Sequence, residues 1–365
     1  MKTNSPTSKG KKLFPVMYEF LKDKLNLAHI TLISLIIIAL CKAQTVNFRK
    51  LAINIEGEAK VDSYLRRIQR FIASCVFPQA LVTAFIFALL PKKTDLKLVI
   101  DRTNWKLGEQ NINIFMVGVA CEGIAIPLMF CLLNKKGNSN MQERITLISS
   151  CLEIIGKENI DCIIADREFV GDKWIAFLNE NKLRYFIRIR KNFNVLLVGK
   201  NKVVKAFWLF NNLKINELKH CQKIVSINGQ LCYISGCKML NEHNKPDFLI
   251  VISYNKPEQS ADYYAQRWQI ETLFKGLKTS GFNMEKTHLT ELDRIEKLLS
   301  LVMIAFLWCY LVGDFLAKNI KVIKNKTHGR REISVFKYGL NYIAAFLLNP
   351  LRNTEFNIFQ ILSCT

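Results

Sequence analysis

The stretch from residue 95 to 190 alternates short apolar runs, turn residues and helical segments in an order that few architectures satisfy. Leu96-Lys97-Leu98-Val99-Ile100 reads as a strand and stops at Asp101. Residues 113–120 and 124–133 read as two more strands, joined at Cys121-Glu122-Gly123, which suits a hairpin turn. Gly137-Asn138-Ser139 precedes a helical segment over 141–155, and the next strand, residues 160–165, stops at Asp166. A helix over 172–179 and a strand over 184–189 follow. Three strands, helix, strand, helix, strand predicts a mixed α/β sheet with an antiparallel hairpin at one edge. Each aspartate then stands at the C-terminal end of its strand, where α/β sheets carry their sites.

The flanks read differently. Residues 1–12 are polar and basic and predict a mobile tail; residues 13–90 predict helices. One of these, about 61–74, carries Arg66, Arg67 and Arg70 at i, i+1 and i+4, on one side of the helix. Residues 192–246 contain short strand-like pieces around Asn228-Gly229, a hairpin signal, and predict a β-rich insertion. Residues 248–252 return to the main sheet or its edge, a long helix is expected over 260–279, and two more helices over 292–317 and 333–348.

Charge narrows the partners. With 52 basic against 30 acidic residues the formal net charge is +22, an excess that calls for a polyanion or an anionic surface. The apolar runs at 26–41 and 298–313 are short of the roughly 20 residues that span a bilayer. The run at 71–91 is split by Pro78-Gln79. These read as buried core helices, so no membrane association is expected. Eleven cysteines without a Cys-x-x-Cys pair, many inside apolar runs, read as free thiols in a reducing compartment. No histidine stands with a cysteine at zinc-ligand spacing.

The sharpest local pattern lies in the expected helix over 260–279. Tyr264, Arg267, Glu271 and Lys278 are spaced 3, 4 and 7 apart and fall within a sector of roughly 60° at about 100° per residue. Such a face is either a solvated salt-bridged surface or a place where a carboxylate and phosphate-binding cations work together.

Tyr264-x-x-Arg267-x-x-x-Glu271-x-x-x-x-x-x-Lys278 resembles the Y-R-E-K signature of bacterial insertion-sequence transposases, in the branch named insertion-sequence family four. Asp101-Arg102-Thr103-Asn104-Trp105 and Asp166-Arg167-Glu168-Phe169 resemble that family's D-R-T-x-W and D-R-E-F segments. The resemblance covers about residues 95–280 and implies a ribonuclease-H-like catalytic core. It implies that Asp101, Asp166 and Glu271 are catalytic and hold two Mg²⁺ ions, with Mn²⁺ able to substitute, about 3.5–4 Å apart. Oxygen donors suit such hard cations. Arg267 and Lys278 would hold phosphate and Tyr264 a phosphate or sugar, with Arg66, Arg67 and Arg70 contacting the DNA backbone.

The activity implied is cut-and-paste transposition, often through a hairpin at the transposon end, with double-stranded DNA as partner. A homodimer would pair the two ends, in the bacterial cytoplasm at the nucleoid. A nuclease of the same core without strand transfer, or a DNA-binding protein that has lost turnover, are the alternatives. The corresponding divisions are a helical DNA-binding region over 1–92, the core over 93–191, the insertion over 192–246, the second part of the core over 247–290 and a helical C-terminal region over 291–365. The carboxylates of Asp101, Asp166 and Glu271 are expected within about 4–7 Å of one another. Glu168, the rival third carboxylate, is expected to pair with a nearby Arg or Lys in support. Of Trp105, Trp174, Trp208 and Trp268, the third and fourth are the better candidates for stacking a base.

Overall fold

The computed structural model describes residues 13–107, 110–327, 329, 331–349, 357–359 and 361. The basic tail read over 1–12 lies outside the described residues. Five helices open the chain: α1 (Phe14–Leu21), α2 (Leu27–Ala43), α3 (Phe48–Asn54), α4 (Val61–Ser74) and α5 (Gln79–Leu89). Asn26 and Asn47 start α2 and α3 by accepting backbone N–H bonds from His29 and Lys50.

The sheet begins with β1 (Leu96–Leu107), β2 (Gln110–Cys121) and β3 (Ile124–Leu132). After α6 (Met141–Ile155) come β4 (Ile160–Ala165), α7 (Asp172–Glu180) and β5 (Tyr185–Ile189). Asn140 and Glu143 form a reciprocal capping box at the start of α6. The strand order is β3-β2-β1-β4-β5, antiparallel through the first three and parallel from β1 through β5. This is a ribonuclease-H-like mixed sheet. It places Ile100 of β1 beside Ala165 of β4, so Asp101 and Asp166 follow neighbouring positions on adjacent strands.

The β-rich segment is not a separate module. β6 (Asn194–Leu197), β7 (Lys202–Lys205), β8 (Leu218–Ile227) and β9 (Gln230–Leu240) continue the same sheet beyond β10 (Pro246–Ser253), giving ten strands in all. β10 pairs with β5 on one side and with β9 over eight residues on the other. Its outer edge would otherwise present a row of unpaired N–H and C=O groups.

The helix expected over 260–279 is divided into α8 (Ser260–Ala265) and α9 (Trp268–Leu277). Between them Gln266, Arg267, Gln269 and Ile270 donate backbone bonds to residues three back, a 3₁₀-type tightening. Leu273 of α9 is fully buried and packs beside Gly118 of β2. α10 (Leu292–Asn319) and α11 (Val335–Leu348) complete the chain.

At 28 residues, with a segment of mean hydropathy 2.0, α10 is long and apolar enough to cross a membrane. The helix expected over 292–317 is found within two residues; its uncharged run of sixteen is shorter than the helix because charged residues at both ends belong to it. Yet 89% of that segment is buried inside the protein, against α2, α5, α11 and β3. Its apolarity serves the core. α10 and α11 cross with backbones touching. A Cβ on Gly339 would collide with the carbonyl oxygen of Cys309, and one on Gly313 with that of Val335. Gly339→Ala should therefore lower the unfolding free energy by about 1–3 kcal/mol or more. Gly199→Ala, at a site with nothing within 4 Å of the new Cβ, should change it by less than about 0.5 kcal/mol. Denaturant unfolding of the two variants checks the crossing.

Candidate active site

β1 and β4 deliver Asp101 and Asp166, and α8–α9 delivers Tyr264, Arg267 and Glu271, to one end of the parallel strands. Each aspartate accepts the backbone N–H of the residue after it, Arg102 N on Asp101 Oδ1 and Arg167 N on Asp166 Oδ1, both at 2.7 Å. These bonds hold each carboxylate against its own backbone. Asp166 follows the end of β4, whereas β1 does not stop at Asp101 as its apolar run suggested but continues to Leu107, because β2 goes on pairing with it after the parallel pairing with β4 has ended. The Tyr264 hydroxyl donates to Asp166 Oδ1 at 3.2 Å. Arg267 donates from Nη1 to Asp101 Oδ2 at 3.2 Å and from Nη2 to Glu271 Oε1 at 2.6 Å.

The three acids therefore meet, but not as a direct cluster. The Arg267 guanidinium lies between Asp101 and Glu271. Among the described residues no three His, Cys, Asp or Glu side chains converge to hold a metal ion. The expected mutual approach of all three carboxylates is corrected accordingly. Like charges held together in a half-buried site repel, and a guanidinium offsets two of them at once.

Electrostatics report the same crowding. Asp101 is pushed up to about 6, first by burial and further by the charges of Glu168 and Asp166, against the pull of the Arg102 N–H and of Arg267. Tyr264 is pushed up to about 12 by burial and by Asp166, so its hydroxyl stays a donor. Burial works against the Arg267 charge, but the hydrogen bond to Glu271, with Tyr264, Asp166 and Asp101 nearby, raises its pKa above the ordinary value.

Lys278 does not join this cluster. It ends α9, donates from Nζ to the Asn104 carbonyl at 3.2 Å, pairs with Glu285 at 3.1 Å and lies 5.4 Å from the Trp105 ring centre. The 3₁₀ turn and the seven-residue separation carry it along β1, three residues past Asp101. Arg66, Arg67 and Arg70 stand on α4 and touch none of the acids. Arg66 and Arg70 are exposed, Arg67 is half-buried beside the Tyr64 ring, and none of the three forms an ion pair among the described residues.

Glu168 pairs with Arg102, which uses every donor it has. Arg102 Nε and Nη2 grip Glu168 at 2.7 and 2.9 Å. Its remaining N–H groups reach Asn113 Oδ1, the Gly137 carbonyl and Asn138 Oδ1. Sequence reading gave Arg102 no role, because its partner lies 66 positions away and only the fold brings them together. Arg167, beside Asp166, is exposed, and its side chain has no hydrogen-bond partner among the described residues. Trp105 and Trp174 are core residues, whereas Trp208 and Trp268 are 65% and 56% exposed. Trp268 and Glu271 border a cleft of about 1130 Å³ that Lys275 and Arg331 also line.

The transposase DDE domain family matches residues 92–308. The chain belongs to this family. No curated protein matches the sequence. The cryo-EM structure of piggyBac transposase in a synaptic complex with hairpin DNA is similar at a TM-score of 0.46 and 12% identity, over 93% of this chain and 77% of that one. The DDE domain match begins before β1 and ends inside α10, so it encloses both aspartates, the inserted strands and the helix that carries Glu271.

The Arg102–Glu168 pair makes a stability test of this arrangement within the DDE domain. Glu168→Ala leaves the half-buried Arg102 without its anion and should cost about 1–3 kcal/mol. Arg167→Ala, at an exposed site, should cost less than about 0.5 kcal/mol. Chemical denaturation of the two variants measures both.

Proposed function

We propose that this protein is a cut-and-paste DNA transposase of the insertion-sequence family four type, cleaving transposon ends and joining the freed 3′ ends to target DNA. The observation that carries the reading is the meeting of Asp101, Asp166 and Glu271 at one end of a ribonuclease-H-like sheet, in a chain of the DDE domain family. Carboxylate oxygens are the donor chemistry that a hard divalent cation takes, although the three acids do not converge on one point among the described residues. Asp101 and Asp166 each follow directly on the hydrogen-bonded parallel stretch of β1 and β4 and offer oxygen donors there. Mg²⁺, or Mn²⁺ in its place, would be held by Asp101, Asp166 and Glu271 and, when bound, would supply activation of the attacking oxygen and charge for the leaving one.

The chain's own residues hold and orient the DNA. Asp101, Asp166 and Glu271 present their oxygens toward the scissile phosphate. Tyr264 holds Asp166 by its hydroxyl, and the Arg267 fork suits two phosphate oxygens at once. Lys278 sits where a strand lying along β1 would pass. Arg66, Arg67 and Arg70 form a cationic face for the duplex backbone, and the exposed Trp268 offers a surface for a base. The functional divisions are those of the sequence: helical DNA-binding region over 1–92, core over 93–191 and 247–290, insertion over 192–246, and helical C-terminal region over 291–365. Two element ends call for two protomers, so a homodimer is part of the reading. The setting is a bacterial cytoplasm, on nucleoid DNA rather than at a membrane.

Asp101→Ala and Asp166→Ala should each reduce cleavage of element-end DNA to background while duplex binding persists. Gel analysis of end-labelled DNA with Mg²⁺ reads both, and a variant that nicks at the wild-type rate removes that residue from the site. Products with a 3′ end joined to new DNA distinguish transposition from a nuclease that only cuts.

The arginine face of α4 generates a separate expectation. Replacing Arg66, Arg67 and Arg70 together by Ala in the full-length protein should reduce the slope of log affinity against log salt by about 2–3. Anisotropy titrations at several salt concentrations check it, and an unchanged slope assigns the backbone contacts elsewhere.

A further inference from the structure

Two arginines stand on one face of β5. Phe186 lies against the Tyr263 ring of α8, with ring centres 4.7 Å apart, and the alternation of a strand puts Arg184 and Arg188 on that same face. Both are half-buried, and the Nε of each is buried without a hydrogen-bond partner. Their terminal nitrogens differ. Arg184 donates from Nη1 to Asp161 at 2.7 Å and from Nη2 to Gln259. The Arg188 side chain has no hydrogen bond and no ion pair among the described residues.

The register places this unpartnered cation at the acids. Ile187 pairs with Ala165 of β4, so Arg188 follows on β5 where Asp166 follows on β4. Tyr264 feels its charge: burial and Asp166 raise that phenol, while Arg267 and Arg188 pull it back. Neither nearby acid takes Arg188 as a partner. Asp166 Oδ1 accepts the Arg167 N–H and the Tyr264 hydroxyl. Asp247, which also feels the Arg188 charge, is paired with Lys191 at 2.9 Å. A half-buried guanidinium whose donors meet no acceptor calls for one from outside the chain.

We propose that Arg188 is a phosphate-binding residue of the site, gripping a DNA backbone phosphate beside Asp166 through its guanidinium fork. The proposal rests on the reading of the protein as an enzyme acting on DNA, and it requires no metal ion. A phosphate offers two oxygens to a planar fork and matches its charge. Arg102 and Arg267 hold carboxylates, whereas Arg188 has its fork free. Arg167, next to Asp166, and Arg190, two residues after Arg188, are exposed and enter no ion pair among the described residues, so a strand reaching Arg188 meets further positive charge at its approach.

The test measures binding of the full-length protein to an element-end duplex by fluorescence anisotropy at several salt concentrations. Arg188→Gln should lower affinity about 10-fold at low salt and reduce the slope of log affinity against log salt by about 1. Its melting temperature should stay within about 2 °C of wild type, because no acid loses a partner. Arg188→Lys should keep the slope but not the full affinity, since it retains the charge without the fork. Neutral methylphosphonates placed one at a time around the cleavage point locate the contact: wild type should lose affinity at a position where Arg188→Gln loses none. A folded Arg188→Gln with wild-type affinity and slope overturns the role. So does a methylphosphonate profile that is the same in both proteins. Should the glutamine variant not fold, the lysine variant carries the test, and wild-type affinity in it overturns the role. If wild type binds the element end no better than an unrelated duplex, the transposase reading itself fails, and the proposal with it.

Discussion

The structure is organised around negative charge that the fold cannot avoid concentrating. Hydrogen bonding β1 to β4 in parallel sets Asp101 and Asp166 side by side just past the paired stretch, Glu168 follows two residues later, and α9 adds Glu271. Four carboxylates at one end of a sheet repel, and burial adds to the cost. Two arginines answer this. Arg102 neutralises Glu168 with a two-pronged grip, and Arg267 spans Asp101 and Glu271. Their situations differ in a way that matters for chemistry. Arg102 has all five N–H groups committed to groups on β2, on the loop before α6 and on the turn after β4. Arg267 is tied to two carboxylates, one from β1 and one from α9, and stands at a turn.

The rest of the molecule holds this arrangement in place. α9 buries Ile270, Leu273 and Leu277 and packs on β1, β2 and β3, which keeps Glu271 over the strand ends. Packing of α10 with α2, α4 and α5 joins the N-terminal helices to the core, so the cationic face of α4 is mounted on the same body as the acids. The added strands β6 to β9 lengthen the sheet on the side away from the β3 edge. They carry eight lysines against two glutamates between residues 192 and 246, which gives that extension a cationic character suited to a polyanion.

Much of this was legible in the residues alone. Apolar runs that stop at Asp101 and Asp166, with turn residues between them, specify strands and their order because period and punctuation are local properties. The helices expected over 61–74, 141–155 and 172–179 were readable for the same reason, the last ending one residue later at Glu180. The even face of Tyr264, Arg267, Glu271 and Lys278 was only partly so. It assumed one uninterrupted helix, and the tightened turn at 266–270 moves Lys278 away from the others. The extent of α10 was legible as well, expected over 292–317 and found over Leu292–Asn319.

What the sequence determined by itself is therefore the local and periodic part: which segments are strands and helices, where the acids and cations stand along them, and that the chain carries a large positive excess. The tertiary structure alone decided which of those charges meet. Arg102 finds Glu168 across 66 residues, Arg267 finds Asp101 across 166, and the insertion strands join the main sheet instead of folding apart. These outcomes depend on strand pairing and helix docking. They are set by burial of apolar faces distant in sequence, and no local pattern records them.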